Sequence, residues 1–220
     1  MKFAKVFLIT TLLGVSTFSL ASSKDGEKAY QQFQKGLAAV KRGDYQNALK
    51  IWLPLANSGV MEAQFNLGHM YRWGDGVKKD YVEAAKWYKK AAEQGHVRAQ
   101  YNLGYMYRTG EGVIQDYVET VKWYKKAAEQ GYAGAQSDLG VMYHKGQGVK
   151  QDYFEAVKWY RKAAEQGEGI AQRNLGIMFY FGLGVRQDKY QAREWFGRAC
   201  DNGVQAGCED YVKINRELYN

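Results

Sequence analysis

Apolar side chains recur along this chain at helical spacing, and the helical stretches themselves recur every 36 residues. In the stretch 96–131, Val97, Ala99, Leu103, Met106 and Tyr107 follow the helical pattern and predict a first helix over 97–109. Gly110 stops that helix. Residues 110–115 form a loop in which two glycines supply tight backbone angles and Val113 turns inward. Asp116 then caps a second helix, and Glu119, three residues on, completes a capping box. Trp123, Tyr124, Ala127 and Ala128 take packing positions, while Lys125, Lys126 and Glu129 take the solvated side, and Gly131 ends the helix as its C-cap.

The same chemistry returns in register over 60–95, 96–131, 132–167 and 168–203. A Leu-Gly pair recurs at Leu67-Gly68, Leu103-Gly104, Leu139-Gly140 and Leu175-Gly176. A turn recurs as GDGV from Gly74, GEGV from Gly110, GQGV from Gly146 and GLGV from Gly182. An aromatic pair recurs as Trp87-Tyr88, Trp123-Tyr124, Trp159-Tyr160 and Trp195-Phe196. Repetition at this period predicts an all-α, right-handed α-α solenoid whose units bury their faces against each other. The Leu-Gly glycine falls inside the first helix, where glycine costs about 1 kcal/mol relative to alanine. Its recurrence points to close helix–helix approach, where a side chain does not fit.

The ends differ from the repeats. Gly36, Gly43-Asp44-Tyr45, Ala48, Trp52 and Leu55 fit a shorter helix pair over 27–59, with its turn from Lys41. Residues 205–219 form one amphipathic helix that covers the open face of the last unit. Residues 1–21 read as a cleaved signal peptide: Lys2 and Lys5, an apolar stretch over 6–15, then Ser19-Leu20-Ala21. A retained anchor is the rival reading, but the stretch is short and a cleavage signal follows it. No second stretch is long and apolar enough to cross a bilayer. The expected location is the periplasm of a Gram-negative bacterium, or secretion, with no stable membrane insertion after cleavage.

Charge changes the picture little. The full chain carries 31 basic and 23 acidic residues, net +8, and removal of Lys2 and Lys5 leaves +6. Bases and acids interleave along the helices, and no nucleic-acid motif appears, so nucleic acid is excluded as a partner. Cys200 and Cys208 are an even pair in an exported chain, which predicts a disulfide. Antiparallel helices on either side of the turn at 201–204 would bring the thiols together, and the bond would staple the terminal helix. Two buried free thiols are the alternative. The three histidines, His69, His96 and His144, lie far from this pair, so no metal site is expected. The glycine loops lack the lysine and Ser/Thr of a phosphate-binding loop and follow no strand, so they are helix–helix turns. The recurring aspartates precede helices and read as caps rather than catalytic carboxylates. The recurring tryptophans read as core rather than a ligand box.

The run Ala99-Gln100-Tyr101-Asn102-Leu103-Gly104-Tyr105-Met106-Tyr107, then Gly110-x-Gly112-Val113, Asp116-Tyr117 and Trp123-Tyr124-x-Lys126-Ala127-Ala128-Glu129-Gln130-Gly131, resembles the Sel-one-like repeat family. These repeats are relatives of tetratricopeptide repeats with a longer inter-helix loop. The match covers all four long units, and the flanking elements resemble a tetratricopeptide-like first pair over 27–59 and a capping helix over 205–219. Cys200 and Cys208 resemble the paired cysteines of secreted cysteine-rich members, but only the last junction carries them here. The resemblance implies an adaptor or scaffold, needing no cofactor. Some exported members are linked to envelope assembly, host interaction or immunity against toxic effectors. A few are associated with penicillin binding or β-lactamase activity, but no Ser-x-x-Lys arrangement is present here.

In such relatives a concave face is lined by first helices, with variable positions around the Leu-Gly pair. Carried onto this chain, these are Glu62, Phe65, His69, Arg72 and Trp73; then Arg98, Tyr101, Tyr105, Arg108 and Thr109; then Gly134, Ser137, Val141, His144 and Lys145; then Ile170, Arg173, Ile177, Tyr180 and Phe181. Helical spacing independently joins Phe65, His69, Arg72 and Trp73 into one stripe, away from Ala63, Leu67 and Tyr71. The chemistry is aromatic and cationic with few acids, and more apolar toward the C-terminal end. It suits an extended peptide or an acidic protein surface. Asn66, Asn102 and Asn174, with Asp138 in the third unit, share a register where an amide can hold either a peptide backbone or a neighbouring loop.

The leading expectation is a non-enzymatic, monomeric periplasmic module that binds a protein or peptide on this face. The narrower alternative is an immunity protein for a secreted effector. An enzyme acting on cell-wall peptide or β-lactam would need a nucleophile or metal site, and a Glu62/His69 pair is weak ground for acid–base work. Open-ended self-assembly conflicts with the covering terminal helix.

Overall fold

The computed structural model of the protein describes residues 24–219. The segment expected to be a signal peptide lies outside the described residues. Those described form eleven α-helices. A first pair, α1 (Lys24–Lys41) and α2 (Tyr45–Asn57), precedes four pairs of 13-residue helices. These are α3 (Met61–Trp73) with α4 (Tyr81–Glu93), α5 (Val97–Thr109) with α6 (Tyr117–Glu129), α7 (Ala133–Lys145) with α8 (Tyr153–Glu165), and α9 (Gly169–Phe181) with α10 (Lys189–Asp201). α11 (Gln205–Tyr219) closes the described chain. Each helix packs on its neighbours in sequence, which is the contact pattern of an α-α solenoid.

Within a pair, the recurring glycine sets the distance. A Cβ on Gly104 would lie 2.7 Å from Cδ1 of Tyr124, whose ring is fully buried against α5. Gly68 with Tyr88, Gly140 with Tyr160 and Gly176 with Phe196 repeat this contact. The aromatic pair is therefore core in every unit, with Trp87, Trp123, Trp159 and Trp195 also buried. Between units, the second loop glycine does the equivalent work. Gly112 has φ +69°, and a Cβ there would lie 2.2 Å from the carbonyl oxygen of Tyr81, at the start of the preceding second helix. Each loop thus sits directly on the backbone of the unit before it.

Asp116 caps α6 as expected: its Oδ1 accepts hydrogen bonds from the backbone N–H groups of Val118 and Glu119. The capping box is not completed. The Asp116 N–H donates to the Tyr107 carbonyl at 2.9 Å, closing the loop onto α5. The Glu119 carboxylate, freed from that task, accepts from Lys122 Nζ and Trp123 Nε1. Asp80, Asp152 and Asp188 follow the same rule toward Tyr71, Tyr143 and Phe179. The helix ends differ by one residue from expectation: Gln130 is the C-cap of α6, and Gly131, at φ +90°, follows it.

A buried glutamine stitches successive units. Gln64, Gln100, Gln136 and Gln172 donate from Nε2 to the carbonyls of Ala56, Ala92, Ala128 and Ala164 at 3.0–3.1 Å. Their Oε1 atoms accept from Gln94, Gln130, Gln166 and Asn202. At the next junction this register holds Cys208 and Cys200, joined by a disulfide with Cα atoms 4.5 Å apart. α11 is accordingly built as a fifth first helix: Ile214 is buried at the position of Met178 one unit earlier.

Candidate protein-binding face

The predicted face residues divide into three groups by burial. Phe65 and Asn66 are buried at 7% and 4% relative exposure, which corrects their assignment to an open surface. Phe65 stacks on the His96 ring at 4.3 Å, so it fills the junction between α3 and α5. Ser137, in the register of Phe65, is buried likewise. Glu62, Arg72, Tyr101, Asn102, Tyr105, Arg108, His144, Arg173, Ile177 and Tyr180 are half-buried. His69, Trp73, Arg98, Lys145 and Phe181 are exposed, with Trp73 at 53% and Phe181 at 63%.

Neighbouring first helices are tied across this face by donors and carboxylates. Tyr101 donates its hydroxyl to Asp138 Oδ2 at 3.0 Å, and Arg173 Nε donates to Asp210 Oδ2 at 2.7 Å. Tyr180 donates to Glu217 at 2.9 Å, and Lys189 pairs with the same carboxylate at 3.0 Å. Arg72 donates from Nε, and pairs through Nη2, with Glu111 Oε2 at 3.2 and 3.1 Å. The face is therefore richer in acids than expected. Asp138, Glu111, Asp210 and Glu217 answer donors 37 or 39 residues away, a relation that composition does not reveal. The recurrence of acids near that spacing was the available signal.

Aromatic rings and cations interleave here. The Tyr105 ring lies 4.7 Å from the Arg72 guanidinium and 5.0 Å from that of Arg108. Trp73 packs beside both Arg72 and His69. Behind them, the buried hydroxyl of Tyr88 lies near Asn102 and Arg72, and that of Tyr124 near Asp138, neither in good hydrogen-bond geometry. Burial pushes both phenols well above their ordinary pKa, and the Asp138 carboxylate pushes Tyr124 further. Burial lowers the pKa of His69, although Asp75, 3.8 Å away, opposes it. Burial also lowers His144, aided by Lys145. His96 is pushed down to about 4 by burial and by Arg98, so the ring is neutral near pH 7. Its Nδ1 then accepts from the Ala99 N–H and caps α5.

The starts of the second helices carry another exposed series that sequence reasoning did not single out. Val82, Val118, Phe154 and Tyr190 repeat at one register near the start of the second helices, and Ile114, in the loop before α6, is 91% exposed. No cluster of three or more His, Cys, Asp or Glu residues suited to a metal ion occurs among the described residues.

A model of the Sel1 repeat matches this chain over residues 62–96, 97–132, 133–168 and 169–204. The protein belongs to the Sel1 repeat family. Its Sel1 repeats are protein-interaction modules by class. The chain is 35% identical to a protective antigen of uropathogenic Escherichia coli with an SLR fold, at a TM-score of 0.83. That match covers 91% of this chain but 44% of the antigen, so the chain spans less than half of that protein. A Sel1 repeat protein of Oxalobacter formigenes is also 35% identical, with 88% of this chain and 79% of that one covered, at a TM-score of 0.77. A Klebsiella pneumoniae Sel1 repeat protein, 23% identical over 90% of this chain and 97% of its own, shares the fold at a TM-score of 0.52. No curated protein is significantly similar to the chain in sequence.

Proposed function

We propose that this Sel1 repeat protein is a non-enzymatic, exported interaction module that binds a protein or extended peptide on the concave face of its first helices. The observation that carries the reading is the exposure of Trp73 and Phe181 on the same face as Arg72, Tyr105, Arg108 and Tyr180. Large aromatics beside arginines are the composition of binding hot spots, and neither ring is needed to fill the core. The disulfide and the signal-like residues 1–21 support a periplasmic or secreted setting.

A pull-down from native envelope and secretome extract tests this, with Trp73→Ala/Phe181→Ala beside the unaltered protein. Loss of a captured partner in the variant places binding on this face. Retention by both moves attention to the Ile114 and Phe154 edge. A toxic enzyme as the partner narrows the reading to immunity.

A further inference from the structure

Val82, Val118, Phe154 and Tyr190 each take the second position of a second helix, and each is more than half exposed. The stacking of units joins them into one row. Gly112 lies against the Tyr81 carbonyl and the Val82 N–H, Gly148 against those of Tyr117 and Val118, and Gly184 against those of Tyr153 and Phe154. Two residues beyond these glycines come Ile114, Lys150 and Arg186, all exposed. Each apolar residue is therefore followed along the row by a loop residue of the next unit. Cations and apolar groups share the same clefts: Lys78, Lys79 and Val82 line one, and Lys150 and Phe154 line its equivalent two units on.

The acids of this row are already answered within the chain. Asp80, Asp116, Asp152 and Asp188 each accept two backbone N–H groups at a helix start. Glu83, Glu119 and Glu155 pair with Lys86, Lys122 and Lys158 at 2.6–2.8 Å. Lys78, Lys79, Lys150 and Arg186 have no ion pair among the described residues, and Lys79 rests over the Tyr81 ring. All four stand just ahead of a helix N-terminus, the unfavourable end of the helix dipole for a cation. They do not serve the fold there.

We propose that this row docks on the surface of an anionic phospholipid bilayer, with Ile114 and Phe154 entering the interface and Lys78, Lys150 and Arg186 meeting lipid phosphates. Ile114 and Phe154, the latter 76% exposed, project from the protein, and projecting apolar groups suit a yielding phase. Cations beside them stay at the level of the phosphates, where each adds to the attraction. A protein partner would need a separate pocket for each of Val82, Ile114, Phe154 and Tyr190. A bilayer interface asks only for apolar and cationic character, which is what the units keep in common. The proposal goes beyond the first-helix face and does not rest on it.

The test is flotation of residues 22–220 with vesicles of phosphatidylglycerol and phosphatidylcholine in equal parts, and with phosphatidylcholine alone. This chain holds all eleven helices and lacks the apolar stretch over 6–15, which would bind lipid by itself. Binding to the anionic vesicles, weakened by salt and absent from the neutral ones, is expected. Ile114→Ser/Phe154→Ser and Lys78→Gln/Lys150→Gln/Arg186→Gln should each weaken it at least about tenfold. Trp73→Ala/Phe181→Ala, on the first-helix face, should leave it unchanged. All of these side chains are exposed, and an unaltered thermal midpoint shows that each variant is folded. Equal binding to neutral vesicles, or none to anionic ones, overturns the proposal. So does full binding by the Ile114→Ser/Phe154→Ser variant, which would leave charge alone, and so does loss in Trp73→Ala/Phe181→Ala. A row that binds no vesicle but is needed to capture a protein is a protein interface instead.

Discussion

Cys208 stands where Gln172 stands one unit earlier, and its bond to Cys200 replaces the hydrogen bond from Gln172 Nε2 to the Ala164 carbonyl. The separation is eight residues in both cases. A junction that is polar and buried four times over becomes covalent at the last helix, which has a neighbour on one side only among the described residues. Terminal units of a solenoid lack one of their two interfaces and fray most easily.

Replacing both cysteines by alanine is therefore expected to release α11 first, at a cost of about 2 kcal/mol for a loop this short. Hydrogen exchange should show lost protection in α11 with little change in α3 to α6. Cys200→Ala/Cys208→Gln rebuilds the link used elsewhere and should recover about 1 kcal/mol relative to the double alanine variant. Equal stability of the two variants in denaturant unfolding would refute the equivalence.

Two glycine substitutions should differ in severity. Gly104→Ala gains helix propensity but drives a methyl group to 2.7 Å from the Tyr124 ring, which a buried ring relieves only by shifting. A net loss of about 1–2 kcal/mol is expected. Gly112→Ala meets the Tyr81 carbonyl at 2.2 Å, a backbone atom, from a positive φ. It should cost about 3 kcal/mol or more and loosen the docking of successive units. Urea unfolding of the two variants gives the order.

His96 makes stability depend on pH. Its folded pKa of about 4 lies below the ordinary value of 6.5, because burial and Arg98 disfavour the cation. Between those values the unfolded chain binds more protons than the folded one, so stability rises with pH through this window and is lost as pH falls from 6.5 toward 4. The loss amounts to roughly 2–3 kcal/mol. His96→Asn keeps a side-chain acceptor for the Ala99 N–H but does not titrate, so its stability curve should be flatter between pH 4 and 6.5. An unaltered slope in thermal unfolding would remove His96 as the cause.

Trp73→Ala/Phe181→Ala should leave stability within about 0.5 kcal/mol of the original, since both side chains are more than half exposed. Partner affinity should fall at least about tenfold. By contrast, Arg72→Ala strips Glu111 of its ion pair and Tyr105 of its cation, so it perturbs the face from within. Calorimetry and a binding titration on the same samples separate the two effects.

Helix pairs, loops and the core were legible because their determinants are local. Asp116, Gly110 and the Trp123-Tyr124 pair act within a few residues of where they stand, and the period repeats the evidence four times. The capping box was over-read because Asp116 has a competing backbone acceptor, the carbonyl of Tyr107, that only the folded loop brings near. Phe65 was over-read because helical spacing describes one helix, and the ring that covers it, His96, belongs to the next unit.

The sequence by itself determined the α-α solenoid, its repeat period and the pairing of the two cysteines, since periodic packing positions and caps act along the chain. Only the tertiary structure decided which face residues are already satisfied. Arg72 and Arg108 are the same residue type at the same register, and nothing local separates them. Their difference lies 39 residues downstream, in Glu111 against Gln147, and acts only where one unit's loop is brought against the previous unit's helix.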